Sequence, residues 1–188
     1  MIKKILKNNK GLTLLEIVVS VTIFAFMIIA ATGIFQMVIE SQRRAIASQN
    51  MQESIRYFLE AISKELRLAK KSQTGECAGM SNVYGGDPTR LTFLKHDIID
   101  DTDICISYYQ QGDNLMVDRK VGSSATTTLS TLSNKVKVTN LKFIAVNDDP
   151  VIPNQPNVTV LLEVEAVGKD LHKVPLKIQT TISSRFYD

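Results

Sequence analysis

Histidine is nearly absent from this chain: His96 and His172 are the only two in 188 residues, and they lie in separate segments. With Cys77 and Cys105 as the only cysteines, no zinc-ligand spacing can be written. Both histidines therefore read as structural or surface residues. Tryptophan is missing, and neither a Gly-rich phosphate loop nor a Gly-x-Ser-x-Gly elbow occurs. No catalytic residues and no cofactor site are expected, so the chain does not read as an enzyme. The nearest thing to a ligand set is an acidic knot of Asp97, Asp100, Asp101 and Asp103. Its oxygens suit calcium by type, but the spacing matches no defined loop. Turns attract aspartate for their own reasons, and a solvated turn is expected there.

Proline and glycine are scarce at the front of the chain. The first proline is Pro88, and Gly33 is the only glycine between Leu12 and Lys71. Little in that length obliges a helix to break. Acid is absent before Glu16, whereas Lys3, Lys4, Lys7 and Lys10 all fall in residues 1–11. The formal charge of +3 comes from 22 basic and 19 acidic residues. Without the four leading lysines, 18 basic residues face 19 acidic ones, a net of −1. The body thus has no bulk positive field and no basic-aromatic strip, and nucleic acid is not an expected partner.

What is present is a long apolar run. From Leu12 to Val38 the interruptions are Thr13, Glu16, Ser20, Thr22, Thr32, Gly33 and Gln36, with no charge between Ile17 and Phe35. About 20 apolar residues rising 1.5 Å each cover the roughly 30 Å hydrocarbon core, so the run is long enough to span a bilayer. Four lysines before it, against Arg43-Arg44 after it, predict a cytoplasmic N-terminus and an exported C-terminal part. Glu16 is the anomaly, because a charged side chain at the centre of a span costs roughly 2.5–3.5 kcal/mol, and less near an end. Thr13, Glu16 and Ser20 recur at spacings of three and four and share one helix face, which should point away from lipid. A secretory signal peptide cut after Ala30 or Ala31, or a plain signal anchor, would also open with a basic leader and an apolar run. The run exceeds the usual apolar core of a signal peptide, and glutamate at its entry is unusual in one.

The string GLTLLEIVVSVTIF resembles the processing signature of type IV prepilins and type II secretion pseudopilins. The resemblance covers about 25 residues and joins leader charge, glycine, glutamate spacing and an uninterrupted span. It implies that a membrane aspartyl peptidase, the prepilin peptidase, cleaves between Gly11 and Leu12, and that Leu12 becomes an N-methylated terminus. Many members have phenylalanine where this chain has Leu12, a departure the family tolerates. Glu16 would then be the assembly glutamate, pairing with the N-terminal amine of a neighbouring subunit. Buried charges persist only when paired, so such a pair would set axial register and favour extraction from the bilayer. The implied partners are other pilins or pseudopilins through helix packing, the peptidase and an inner-membrane assembly platform. The implied location is a single-pass membrane protein with an exported head, and then a pilus or pseudopilus.

Beyond Val38 the helix should continue to about Ala69. Met51, Ile55, Phe58, Ile62 and Leu66, spaced four, three, four and four, form one apolar stripe opposite Glu53, Arg56, Glu60, Lys64, Glu65 and Arg67. Lys70 and Lys71, with Gly75 just after, are expected to close it. A turn-rich loop follows through Cys77, Gly79 and Gly85-Gly86-Asp87-Pro88. Alternating, β-branched segments at 90–95, 103–109, 115–119, 135–146, 157–167 and 174–183 read as strands. Pro175 suggests an edge or entry position. Residues 122–128 and 148–155 read as loops. The organisation expected is a cleaved leader (1–11), a transmembrane and filament-core helix (12–38), its amphipathic continuation (39–71) and a β-rich head (72–188). The fold class is α+β, a pilin-like fold with the helix's C-terminal half packed on an antiparallel sheet.

The run Tyr57-Phe58-Leu59-Glu60-Ala61-Ile62-Ser63-Lys64-Glu65-Leu66-Arg67-Leu68-Ala69 is similar to one found at this helix end in J-type minor pseudopilins and W-type minor pilins. That likeness implies a tip or initiation subunit. A filament-displayed module for adhesion or DNA uptake is the alternative within the family, and an ordinary single-span anchored protein the alternative outside it. Cys77 and Cys105 fit either one disulfide or two free thiols, and export would favour the disulfide.

Overall fold

The computed structural model describes residues 11–73, 75–97, 100–122, 124–147, 155–167 and 175–185. The leader lysines, His172 and most of the 148–155 loop lie outside the described residues. The described chain forms one helix and nine strands, and it divides into two compact units, Met1–Arg43 and Arg44–Asp188.

Helix α1 spans Leu14–Arg67, 54 residues. In the first unit it buries nothing: residues 11–38 are all exposed, as an apolar segment must be when its solvent is lipid or other chains. In the second unit the helix becomes one-sided. Met51, Ile55, Phe58, Ile62 and Leu66 are each at most 2% exposed, which is the stripe the spacing predicts. Burying each such side chain contributes about 1.5–3 kcal/mol.

The helix ends earlier than expected. Leu68 turns the chain, its N–H donating to the Glu65 carbonyl, and Ala69–Lys70 form strand β1 rather than a last helical turn. Ala69 is fully buried opposite Lys95, so sheet pairing and burial replace two more helical hydrogen bonds. Lys70 and Lys71 therefore do not close the helix, and Gly75 is not its cap.

Strands β2 (Tyr84–Asp87), β3 (Arg90–Asp97), β4 (Thr102–Gln111), β5 (Asn114–Val121) and β6 (Thr127–Ser130) complete the first sheet. Its order is β1-β3-β4-β5-β6, with β2 also on β3 and every pair antiparallel. Leu91 and Phe93, Ile106 and Tyr108, and Leu115 and Val117 point inward from alternate positions. Tyr108 meets Phe58 of α1 edge-on at 6.0 Å and stacks with Phe93 at 6.3 Å.

The second sheet is β7 (Val136–Val146), β8 (Asn157–Ala166) and β9 (Pro175–Ser183), in that order. β8 buries Val158, Val160, Leu162, Val164 and Ala166 without a lapse. In β7 the buried set changes phase, from Val136 and Val138 to Leu141 and Phe143. A bulge between Val138 and Asn140 absorbs the extra residue, so both pairs face the core. Backbone bonds from Val138 to the Asp113 carbonyl and from Phe143 to the Pro88 carbonyl join β7 to turns of the first sheet. All the expected strands form, with ends within two residues of the sequence reading, and Pro175 opens an edge strand. Strands β1, β2 and β6 were not foreseen; they occupy the supposed helix end and parts of two supposed loops.

Candidate functional site

Thr13 stands just ahead of α1, and its hydroxyl accepts the Glu16 backbone N–H at 3.3 Å. The Ile17 N–H reaches the Thr13 carbonyl at 3.2 Å, the first bond of the helical ladder. Thr13 is therefore the helix N-cap, and Thr13-Leu14-Leu15-Glu16 has the threonine-x-x-glutamate spacing of a capping box. A carboxylate in the first turn also suits the helix dipole. That spacing was readable in the sequence, where it passed only as part of a polar face.

The hydroxyls further along the apolar run are spent internally. Ser20 Oγ donates to the Glu16 carbonyl at 2.7 Å, Thr22 Oγ1 to the Val18 carbonyl at 2.7 Å and Thr32 Oγ1 to the Ile28 carbonyl at 2.8 Å. Hydroxyls bonded to their own helix need no partner in lipid. The Glu16 carboxylate has no side-chain partner among the described residues. It is the one ionisable side chain between Leu12 and Val38.

Gly11 and Leu12 precede the helix in irregular chain, and Leu12 is 70% exposed. The bond between them is therefore not locked into helical hydrogen bonding. A Cβ on Gly11 would meet nothing within 4 Å, and Gly11 is not among the positive-φ glycines. The fold itself makes no demand for glycine at this position.

Residues 6–32 match the prokaryotic N-terminal methylation motif. The match contains Gly11, Leu12, Thr13 and Glu16 and the first part of the apolar run. No curated protein and no solved structure matches the chain significantly. By length and composition the helix that carries the motif can cross a membrane: its most apolar 18-residue window has a mean hydropathy of 2.6, and none of that window is buried.

The other residues singled out from the sequence lie in the second unit. Cys77 and Cys105 are joined by a disulfide, with Cα atoms 5.7 Å apart. The bond holds down an excursion of the chain. β1 and β2 pair with the same edge of β3, and between them the chain leaves and returns through a neck in which Ser72 N–H donates to the Asn82 carbonyl and Ser81 N–H to the Ser72 carbonyl. Within that loop Ala78 is buried against β2, so closely that a Cβ on Gly85 would come within 2.5 Å of the Ala78 carbonyl oxygen. Gly85 is therefore a packing requirement.

The acidic knot is divided. Asp103 Oδ1 lies 2.6 Å from Lys70 Nζ and 2.8 Å from His96 Nδ1, while His96 Nε2 is 3.4 Å from Asp101. The bond from Lys70, supplemented by His96, holds the Asp103 carboxyl below the usual carboxylate range. Asp103 thus ties β1 to β4 across β3. Among the described residues no three His, Cys, Asp or Glu side chains are arranged to hold a metal ion.

Proposed function

We propose that the chain is a structural minor subunit of a type IV pilus-like or type II secretion filament. The observation that carries this reading is the methylation motif at residues 6–32, set on a helix long and apolar enough to cross a membrane. On this reading prepilin peptidase cuts the Gly11–Leu12 bond and the new Leu12 amine is methylated. Glycine at position 11 answers to the peptidase, since no crowding among the described residues and no positive φ calls for it. Glu16, whose carboxylate has no side-chain partner among the described residues, pairs with the Leu12 amine of a neighbouring subunit. The helix packs among those of other pilins after an inner-membrane platform has lifted it from the bilayer. The leader stays cytoplasmic and the β-rich part is exported, where a Cys77–Cys105 disulfide persists. The likeness of the Tyr57–Ala69 run to J-type and W-type subunits supports the minor role.

Mass measurement of the full chain expressed with an active prepilin peptidase tests this. The wild type should lose residues 1–11 and gain one methyl group, and Gly11→Val should keep its leader. An intact leader on the wild type would overturn the reading.

A further inference from the structure

The second sheet ends in an open edge. β9 pairs only with β8, so half of its N–H and C=O groups face away from any described strand. The core also thins beneath it. Leu162 and Val164 on β8 are buried, whereas their partners Ile178 and Leu176 on β9 are only half-covered. Ser184 Oγ and Arg185 N–H tie the end of β9 to the carbonyls of Ala69 and Arg67. From that anchor the strand runs back along the flank of α1 and leaves a groove of about 560 Å³. Its floor is Ile55, Leu59, Leu176 and Ile178. Its helical wall carries Arg56, Lys64 and Arg67 against one acid, Glu60, which is already bonded to Arg56 at 3.1 Å. The edge between Leu176 and Ile182 carries no proline and no bulge to discourage pairing.

We propose that this groove receives an extended, acidic polypeptide segment of a partner, added as a fourth strand on β9. Its side chains on the face toward α1, every second residue, are apolar where they enter between Leu59 and Ile178 and acidic where they meet Lys64 and Arg67. Backbone pairing supplies affinity, and the alternate side chains supply selectivity. A second copy of this chain is the poorer occupant, because β9 laid against β9 brings Lys177 and both basic walls together. The inference concerns the unit Arg44–Asp188 alone and stands whether or not the leader is processed.

Full-length protein in detergent can be titrated with a fluorescein-labelled peptide of Val-Thr-Glu-Thr repeats, which puts valine and glutamate in turn on one strand face, and with its Val-Thr-Lys-Thr counterpart. The acidic peptide should bind at least about tenfold more tightly and protect β9 amides from hydrogen exchange. Lys64→Glu/Arg67→Glu, which alters only exposed positions, should reverse that preference. Gln179→Pro should abolish binding of either peptide, while circular dichroism verifies its fold. Equal binding of the two peptides, no binding, protection elsewhere than β9, or an unaltered preference in the charge-reversed variant would each overturn the proposal.

Discussion

Tyr108 Oη donates to Glu65 Oε2 at 2.5 Å, from the middle of β4 to the last turn of α1, 43 positions away. Arg119 Nη2 on β5 holds the other oxygen of the same carboxylate at 2.5 Å. One helical glutamate, 13% exposed, thereby fastens two adjacent strands to the helix just before the chain turns into β1. Glu65→Ala would strand the Tyr108 hydroxyl and leave Arg119, whose Nε already lacks a partner, with an uncompensated charge. Loss of one partner of a fully buried ion pair costs several kcal/mol. Arg119 keeps 41% of its side chain exposed, which reduces the expected loss to about 2 kcal/mol. The denaturant midpoint of the full chain in detergent measures it, and Tyr108→Phe should lose roughly half as much. A midpoint unmoved by Glu65→Ala would refute the clamp.

The same buried tyrosines set an alkaline limit. Burial pushes the Tyr84 hydroxyl, which donates to the Leu66 carbonyl, up to about 12. Burial raises Tyr108 further, and the Glu65 carboxylate adds to the shift. A hydroxyl whose value is raised in the folded state stabilises the fold fully below the unfolded value near 10, and that contribution is lost as pH climbs through the folded value. Stability should therefore be insensitive to these tyrosines up to about pH 9 and decline from about pH 10 upward. Absorbance at 295 nm checks the sign, because the folded chain should form fewer tyrosinates at about pH 11 than the urea-unfolded chain. Coincident titration curves would contradict the burial.

The disulfide should matter through the unfolded chain as much as through the folded one. It closes a sequence separation of 28 residues, and loop-closure entropy assigns such a link roughly 3–4 kcal/mol. Cys77→Ser/Cys105→Ser should lower unfolding free energy by about that amount, and reductant should do the same to the wild type but not to the variant. Identical stability with and without reductant would show that the neck bonds at Ser72 and the packing of Ala78 are enough.

The second unit was legible where one residue period persisted. The Met51–Leu66 stripe and the alternation of β8 each hold for ten residues or more, so helix and strand could be told apart before any contact was known. β2 is four residues with two adjacent glycines, and β6 is four exposed serine, threonine and leucine residues. Neither carries a buried alternate face, and each is a strand only because β3 or β5 offers it an edge. The helix end was misplaced because Lys70-Lys71 suits a C-terminus chemically, while the burial of Ala69 against β3 depends on Lys95, 26 positions away. Glu65 looked like part of a solvated face for the same reason: Tyr108 and Arg119 are remote in sequence. At the amino-terminal site the relevant residues are contiguous, so the motif itself was readable. The capping bond of Thr13 runs to the Glu16 backbone N–H, so the contiguous motif also holds the start of the helix.

A capping role and the proposed pairing role for the Glu16 side chain can be separated by substitution. Capping needs a side chain that can accept a hydrogen bond at the third helical position, which glutamine supplies almost as well as glutamate. Pairing with a neighbour's amine needs the negative charge, which glutamine lacks. Glu16→Gln and Glu16→Ala should therefore both leave the Gly11–Leu12 bond cleavable, and both should reduce filament incorporation to a similar extent. Thr13→Val, which removes the cap and keeps the charge, should fray the helix start by about 1 kcal/mol while retaining incorporation. Processing is followed by mass, and incorporation by the amount of the chain in sheared filaments. If Glu16→Gln assembles like the wild type while Glu16→Ala does not, the glutamate is serving its own helix, and the intersubunit pair must be abandoned.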